Sequence, residues 1–175
     1  MAQITGTDGN DDGISNPALT GTEADDTIAG LLGADLLEGL GGDDVLIPGP
    51  GADTVRGGDG NDTVIVTGEI SAGASLDGGA GADRLVIYPG SPGRQISLVD
   101  VGLAGFEQLN LNEAQVTLTP AQLAQFTNLS GFGGQGIIVQ RVDTGADDRV
   151  DLSGIAVGAD GTATGRIEAR PGEIV

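Results

Sequence analysis

Large aliphatic residues recur in this chain at a spacing that fits neither a helix nor an ordinary strand. Ile28, Leu37, Leu46, Val55 and Val64 stand nine residues apart without a break, and Leu85 repeats the pattern after an interruption. A helix that buries one face repeats its apolar positions every three or four residues, and a half-buried strand every second residue. Here each aliphatic sits in a short strand-favouring stretch such as Thr63-Val64-Ile65. The stretch before it, such as Gly57-Gly58-Asp59-Gly60-Asn61-Asp62, resists regular structure. The pattern predicts a repeat architecture in which each unit is one tight turn and one very short strand.

Cut at Gly21, the repeats read GTEADDTIA, GLLGADLLE, GLGGDDVLI, PGPGADTVR and GGDGNDTVI, with GGAGADRLV following from Gly78. Position six is always aspartate: Asp26, Asp35, Asp44, Asp53, Asp62 and Asp83. Position eight is the aliphatic, and position four is glycine in every block except the first, which has Ala24. Glycines at positions one, two and four permit positive φ and let carbonyls converge in a tight turn. The aliphatic side chain points inward and its neighbours outward.

These blocks resemble the RTX family, the haemolysin-type calcium-binding repeats of form GGxGxDxUx, in which U is a large aliphatic. The resemblance covers 54 of the 175 residues. It implies an all-β, right-handed parallel β-roll, a β-solenoid with two blocks per coil. Asp26, Asp44 and Asp62 then stack on one edge, and Asp35 and Asp53 on the other. Rungs of a parallel sheet lie about 4.8 Å apart. Two carboxylates at that spacing repel by roughly 1 kcal/mol in water and by about 3.5 kcal/mol at an effective dielectric of 20. A divalent cation between rungs reverses the sign.

The ligand chemistry favours calcium. Zinc prefers His and Cys, and the chain has neither. Magnesium demands a near-octahedral shell and keeps its waters, whereas calcium accepts six to eight oxygens, backbone carbonyls included. The expected ligands are the six position-six aspartates and the carbonyl-rich turns at Gly39, Gly42, Gly51, Gly57, Gly60, Gly78 and Gly81, with Asp43, Asp59 and Asn61 adding outer oxygens. Several Ca²⁺ ions are expected. Only Gly57–Ile65 and Gly78–Val86 match the consensus throughout. Leu31, Leu32 and Leu40, Pro48 and Pro50, and Thr22 and Ala24 depart from it. These departures predict distorted or ion-free turns, or exposed leucines that cover an end of the roll or meet a partner.

Charge supports a cationic partner. Asp and Glu number 26 against 7 basic residues, all arginine, for a formal charge of −19. Nucleic acid and anionic membranes would be repelled. High charge with 33 glycines also fits a disordered acidic linker, but 38% of the chain is hydrophobic. Halophilic surface acidity would explain the charge but not the nine-residue register. Without cysteine there are no disulfides. The segment MAQITGTDGNDDG has neither a basic n-region nor an apolar h-region, and no stretch is long and apolar enough to span a membrane.

Outside residues 21–90 the texture changes. Residues 1–20 hold one degenerate echo, GTDGND, out of register, and are read as a cap or frayed leader. Residues 66–77 interrupt the array as a bulged coil or surface loop. Residues 91–152 are read as a calcium-poor solenoid continuation, in which, from Arg94, QISLVDV, FEQLNLNEAQVTLT, GIIVQRV and RVDLSG read as short strands. TPAQLAQF reads as one short helix, with Thr119 as N-cap, Pro120 first, Gln122 closing a capping box, and Leu123 and Phe126 facing the core. Asp147 is read as a surface turn, and residues 153–175 as a loose tail that could end a fragment.

No enzyme activity is expected. A nucleophilic triad needs a base such as histidine, a Walker loop needs Lys-Ser or Lys-Thr, and sugar-cleaving clefts usually carry stacking aromatics. The chain has no His, Lys or Trp, three Phe and one Tyr. The expected role is a calcium-dependent structural module that folds after export. The resemblance implies secretion by a type I route, although the terminal GEIV is only faintly like such a signal. The alternatives are an adhesion, surface-layer or glycan-binding module, hinted at by Arg141, Arg149 and Tyr88, and an accessory domain of a larger secreted enzyme.

Overall fold

The computed structural model describes residues 1–91, 94–112 and 114–131, together with the strands Ile137–Arg141, Ala156–Val157 and Ile167–Pro171. The nine-residue pattern becomes a parallel β-solenoid. One sheet stacks Gln3–Thr5, Thr27–Ala29, Val45–Ile47, Thr63–Thr67, Arg84–Tyr88, Gln108–Asn110, Asn128–Ser130 and Ala156–Val157 in chain order. The second stacks Leu19–Thr20, Leu36–Gly41, Thr54–Asp59, Ser75–Ala80 and Gly102–Ala104. All pairings are parallel, so each coil lies directly on the one before it.

The position-eight aliphatics form two internal stacks. On the first sheet Ile28 pairs with Leu46, Leu46 with Val64, Val64 with Leu85, and Leu85 with Leu109. On the second, Leu19, Leu37, Val55 and Leu76 follow one another. These side chains are buried, and each of the large ones contributes roughly 1.5–3 kcal/mol on leaving water. Their flanking residues point outward, as strand alternation requires.

Coil length varies along the axis. Equivalent aspartates are 18 residues apart from Asp26 to Asp44 and from Asp44 to Asp62. The step to Asp83 is 21 residues, the excess lying in the connection between Thr67 and Ser75, and the step to Glu107 is 24. The interruption at 66–77 is therefore a lengthened coil. Where coils reach full length, a third sheet appears, made of Gln95–Ser97, Gln115–Leu118, Ile137–Arg141 and Ile167–Pro171. Ile96, Leu98, Phe106, Leu111, Val116, Leu118 and Phe126 fill the wider interior.

The helix Pro120–Leu123 has the expected box: the Gln122 amide donates to Thr119 Oγ1 at 3.2 Å and Thr119 N–H donates to Gln122 Oε1 at 2.9 Å. Leu123 and Phe126 are buried.

The two ends differ from expectation. Residues 1–20 supply the strands Gln3–Thr5 and Leu19–Thr20 and form the first coil. Residues 153–175, read as loose, supply Ala156–Val157 and the paired strand Ile167–Pro171. RVDLSG and Asp147 lie outside the described residues. Among the described residues no helix is long and apolar enough to cross a membrane.

Candidate metal centre

Each position-six aspartate ends a turn and immediately precedes a strand. In all but Asp26, whose Oδ1 accepts the N–H of Ala2, it is held by one strong interaction: its Oδ1 accepts the backbone N–H of the aspartate one coil earlier. Asp26 N–H donates to Asp44 at 2.7 Å, Asp44 N–H to Asp62 at 2.8 Å, and Asp62 N–H to Asp83 at 2.7 Å. On the opposite edge Asp11 N–H donates to Asp35 at 2.8 Å and Asp35 N–H to Asp53 at 2.9 Å. Two continuous ladders result, and all seven aspartates are buried. The six expected positions thus fall on the two edges read from the sequence, with Asp83 joining Asp26, Asp44 and Asp62.

Two ladder members were missed. Asp11 belongs to the degenerate GTDGND echo and enters the ladder because the first coil is 24 residues long. Glu107 ends the other ladder, accepting Asp83 N–H at 2.8 Å. Its signal was the spacing: Glu107 stands two residues before Leu109, as Asp62 stands before Val64.

The second carboxylate oxygen is the unusual atom. Oδ2 of Asp35, Asp44, Asp53, Asp62 and Asp83 is buried without any hydrogen-bond partner. An unpaired buried charge is costly, so burial pushes these carboxyls above their usual range. Asp53 and Asp62 rise to about 6, and Asp35, Asp44 and Asp83 move the same way, mainly through desolvation. Asp26 moves down, because Ala2 N–H and the Thr22 side chain donate to it.

The position-one glycines shape the space beside Oδ2. A Cβ built on Gly39 would collide with Asp44 Oδ2 and the Gly57 carbonyl oxygen; one on Gly57 would meet Asp62 Oδ2 and the Gly78 carbonyl. On Gly30 it would stand 2.6 Å from Asp35 Oδ2 beside the Pro48 carbonyl. Gly78 faces the Gly105 carbonyl and Asp83. Gly42, Gly60 and Gly81 stack at φ of 102°, 138° and 152°. Gly51 does not take positive φ; it packs against the Gly33 carbonyl, with a built Cβ 2.8 Å from Asp53 Oδ1.

The outer oxygens have other partners. Asp43 N–H donates to Asp25 at 3.0 Å, Asn61 N–H to Asp43 at 2.8 Å, and Ala82 N–H to Asn61 at 3.0 Å. This exposed ladder runs opposite to the buried one and ties the coils in the other direction. Asp59 is exposed on a strand.

Leu31 and Leu40 keep the glycine backbone, at φ of 77° and 79°, close to Gly49 at 92°. Such a conformation costs a side-chain-bearing residue roughly 1–2 kcal/mol. Their turns are therefore not distorted. Leu31 and Leu32 remain exposed and line an open apolar groove with Ile47 and Pro50. Tyr88 is exposed, Arg141 stands in the strand Ile137–Arg141, and Arg149 lies outside the described residues.

Among the described residues no three His, Cys, Asp or Glu side chains gather into a cluster. Each cradle instead offers a single unpartnered carboxylate oxygen among backbone carbonyls. That donor set fits calcium, which binds carbonyl oxygen and tolerates irregular shells.

The comparison with known families agrees. The RTX calcium-binding nonapeptide repeat matches residues 20–55 and 47–65. The class is therefore a parallel β-solenoid with a stretch similar to calcium-binding RTX repeats. Residues 20–65 are RTX repeats, and the sixth block, Gly78–Val86, lies beyond the matched span. No curated protein and no solved structure matches the chain.

Proposed function

We propose that the chain is a structural module of a secreted RTX-type protein that folds when it meets calcium after export, and that it has no catalytic role. The observation that carries this reading is the set of five buried Oδ2 atoms without partners. A folded roll with these groups charged and unpaired is penalised at each of those five rungs. Asp35, Asp44, Asp53, Asp62 and Asp83 would hold the ions, together with the carbonyls of the stacked turns. Calcium would supply charge neutralisation, and the protein would supply rungs already spaced and oriented for it. In calcium-poor surroundings the acidic chain would stay unfolded and fit for passage through a type I channel; outside, calcium would draw it into the roll.

Binding only to the folded state adds RT ln(1 + [L]/Kd), about 2.7 kcal/mol per site at a hundredfold excess. Far-UV circular dichroism of the chain should gain β signal on calcium addition and lose it with chelator. A spectrum and melting temperature unchanged across the titration would defeat the proposal.

A further inference from the structure

Resting on that reading, we infer that the backbone conformation of position two sorts the rungs into two kinds, and that the rungs ending in Asp11 and Asp26 are closed by threonine and take no calcium. The five aspartates with an unpartnered Oδ2 are Asp35, Asp44, Asp53, Asp62 and Asp83. Their position-two residues are Leu31, Leu40, Gly49, Gly58 and Gly79, and every one is left-handed, at φ of 77°, 79°, 92°, 116° and 101°. The remaining two ladder aspartates follow Gly-Thr. Neither Thr7 nor Thr22 has positive φ. Instead Thr22 donates to Asp26 Oδ2 twice, from its backbone N–H at 2.8 Å and from Oγ1 at 2.7 Å. Thr7 does the same to Asp11, from N–H at 2.7 Å and from Oγ1 at 3.3 Å.

The cause is steric and electrostatic. A β-branched residue resists the left-handed region, so threonine stays out of it. Its amide then turns inward to the carboxylate, and its hydroxyl adds a second donor. A cation at that oxygen would have to displace both and would face the positive end of an N–H dipole. At a left-handed position two the amide makes no bond to Oδ2, which stays available beside the carbonyls. Leucine preserves a calcium rung because it accepts this backbone; threonine closes one. The closed rungs stand at the amino-terminal end of each ladder.

Equilibrium dialysis against calcium, with metal analysis of the full chain, tests this. Circular dichroism in saturating calcium confirms that each variant is folded. Asp26→Asn should keep the wild-type calcium content and affinity. Asp44→Asn and Asp62→Asn should each lose one ion or weaken binding at least tenfold. Thr22→Gly should gain one ion over wild type, and Thr22→Ser, which keeps the hydroxyl, should gain fewer than Thr22→Gly. Losses in Asp26→Asn equal to those in Asp44→Asn, or no gain in Thr22→Gly, would overturn the assignment while leaving calcium binding intact. A wild-type chain that binds no calcium would instead remove the functional reading beneath it.

Discussion

The carboxylates of the ladder reverse the usual pH logic of a protein acid. Most paired or hydrogen-bonded aspartates are stabilised as anions, and acid unfolds the protein. Here desolvation raises Asp53 and Asp62 from 3.8 to about 6, and Asp35, Asp44 and Asp83 shift in the same direction. At these five carboxyls the calcium-free folded form therefore binds more protons than the unfolded chain. The stability from these groups is fully present below about pH 4 and is lost as pH rises through 6. Far-UV circular dichroism in calcium-free buffer should show more β signal at pH 4 than at pH 7. With calcium present the trend should invert, because protons compete for the same oxygens, and affinity should fall as pH drops from 7 to 5. Calcium-free β signal that rises from pH 4 to pH 7 would contradict the desolvation account.

At the scale of the element, each three-residue strand is too short to stand alone and depends on its place in the aliphatic stack. Leu46 lies between Ile28 and Val64 and is fully buried. Leu46→Asp would add an unpaired charge to the interior, and the chain should then fail to gain β signal at any calcium concentration. Val45→Thr, at a half-buried neighbour in the same strand, should shift stability by no more than about 0.5 kcal/mol. Equal folding of the two variants would mean that the stack is not the core. This layer was legible in the sequence because position eight is occupied in every block and strand alternation fixes its direction. The capped helix at Thr119 was legible for the same reason, since its signals are local. Asp11 and Glu107 were harder to read, because coils of 24 residues carry them out of the nine-residue count. The role of Thr22 was hidden more deeply. A consensus records that glycine is missing, whereas the hydrogen bonds follow from the φ that threonine refuses.

At the scale of the whole molecule, the two ladders would couple a bound calcium to nearly the entire length of the array. Each rung is both donor and acceptor: Asp44 gives its N–H to Asp62 and receives the N–H of Asp26. An ion that fixes one turn therefore helps place the next, and the formal charge of −19 raises the local concentration of any divalent cation. Charge alone would not choose between calcium and magnesium. The choice should come from the cradles, which present one carboxylate oxygen each among carbonyls of stacked backbone. Magnesium requires a tight octahedron near 2.0–2.1 Å and sheds water reluctantly, so such a cradle would offer it too few well-placed oxygens. Calcium, at 2.3–2.6 Å with a flexible coordination number, can use what each turn provides. At equal millimolar concentrations, calcium should induce the β signal and raise the melting temperature, while magnesium should act only as an ionic screen. Titrating magnesium into a sample already holding calcium should displace little of it. If magnesium alone folded the chain to the same spectrum, acidity rather than the turn carbonyls would be the source of the metal response.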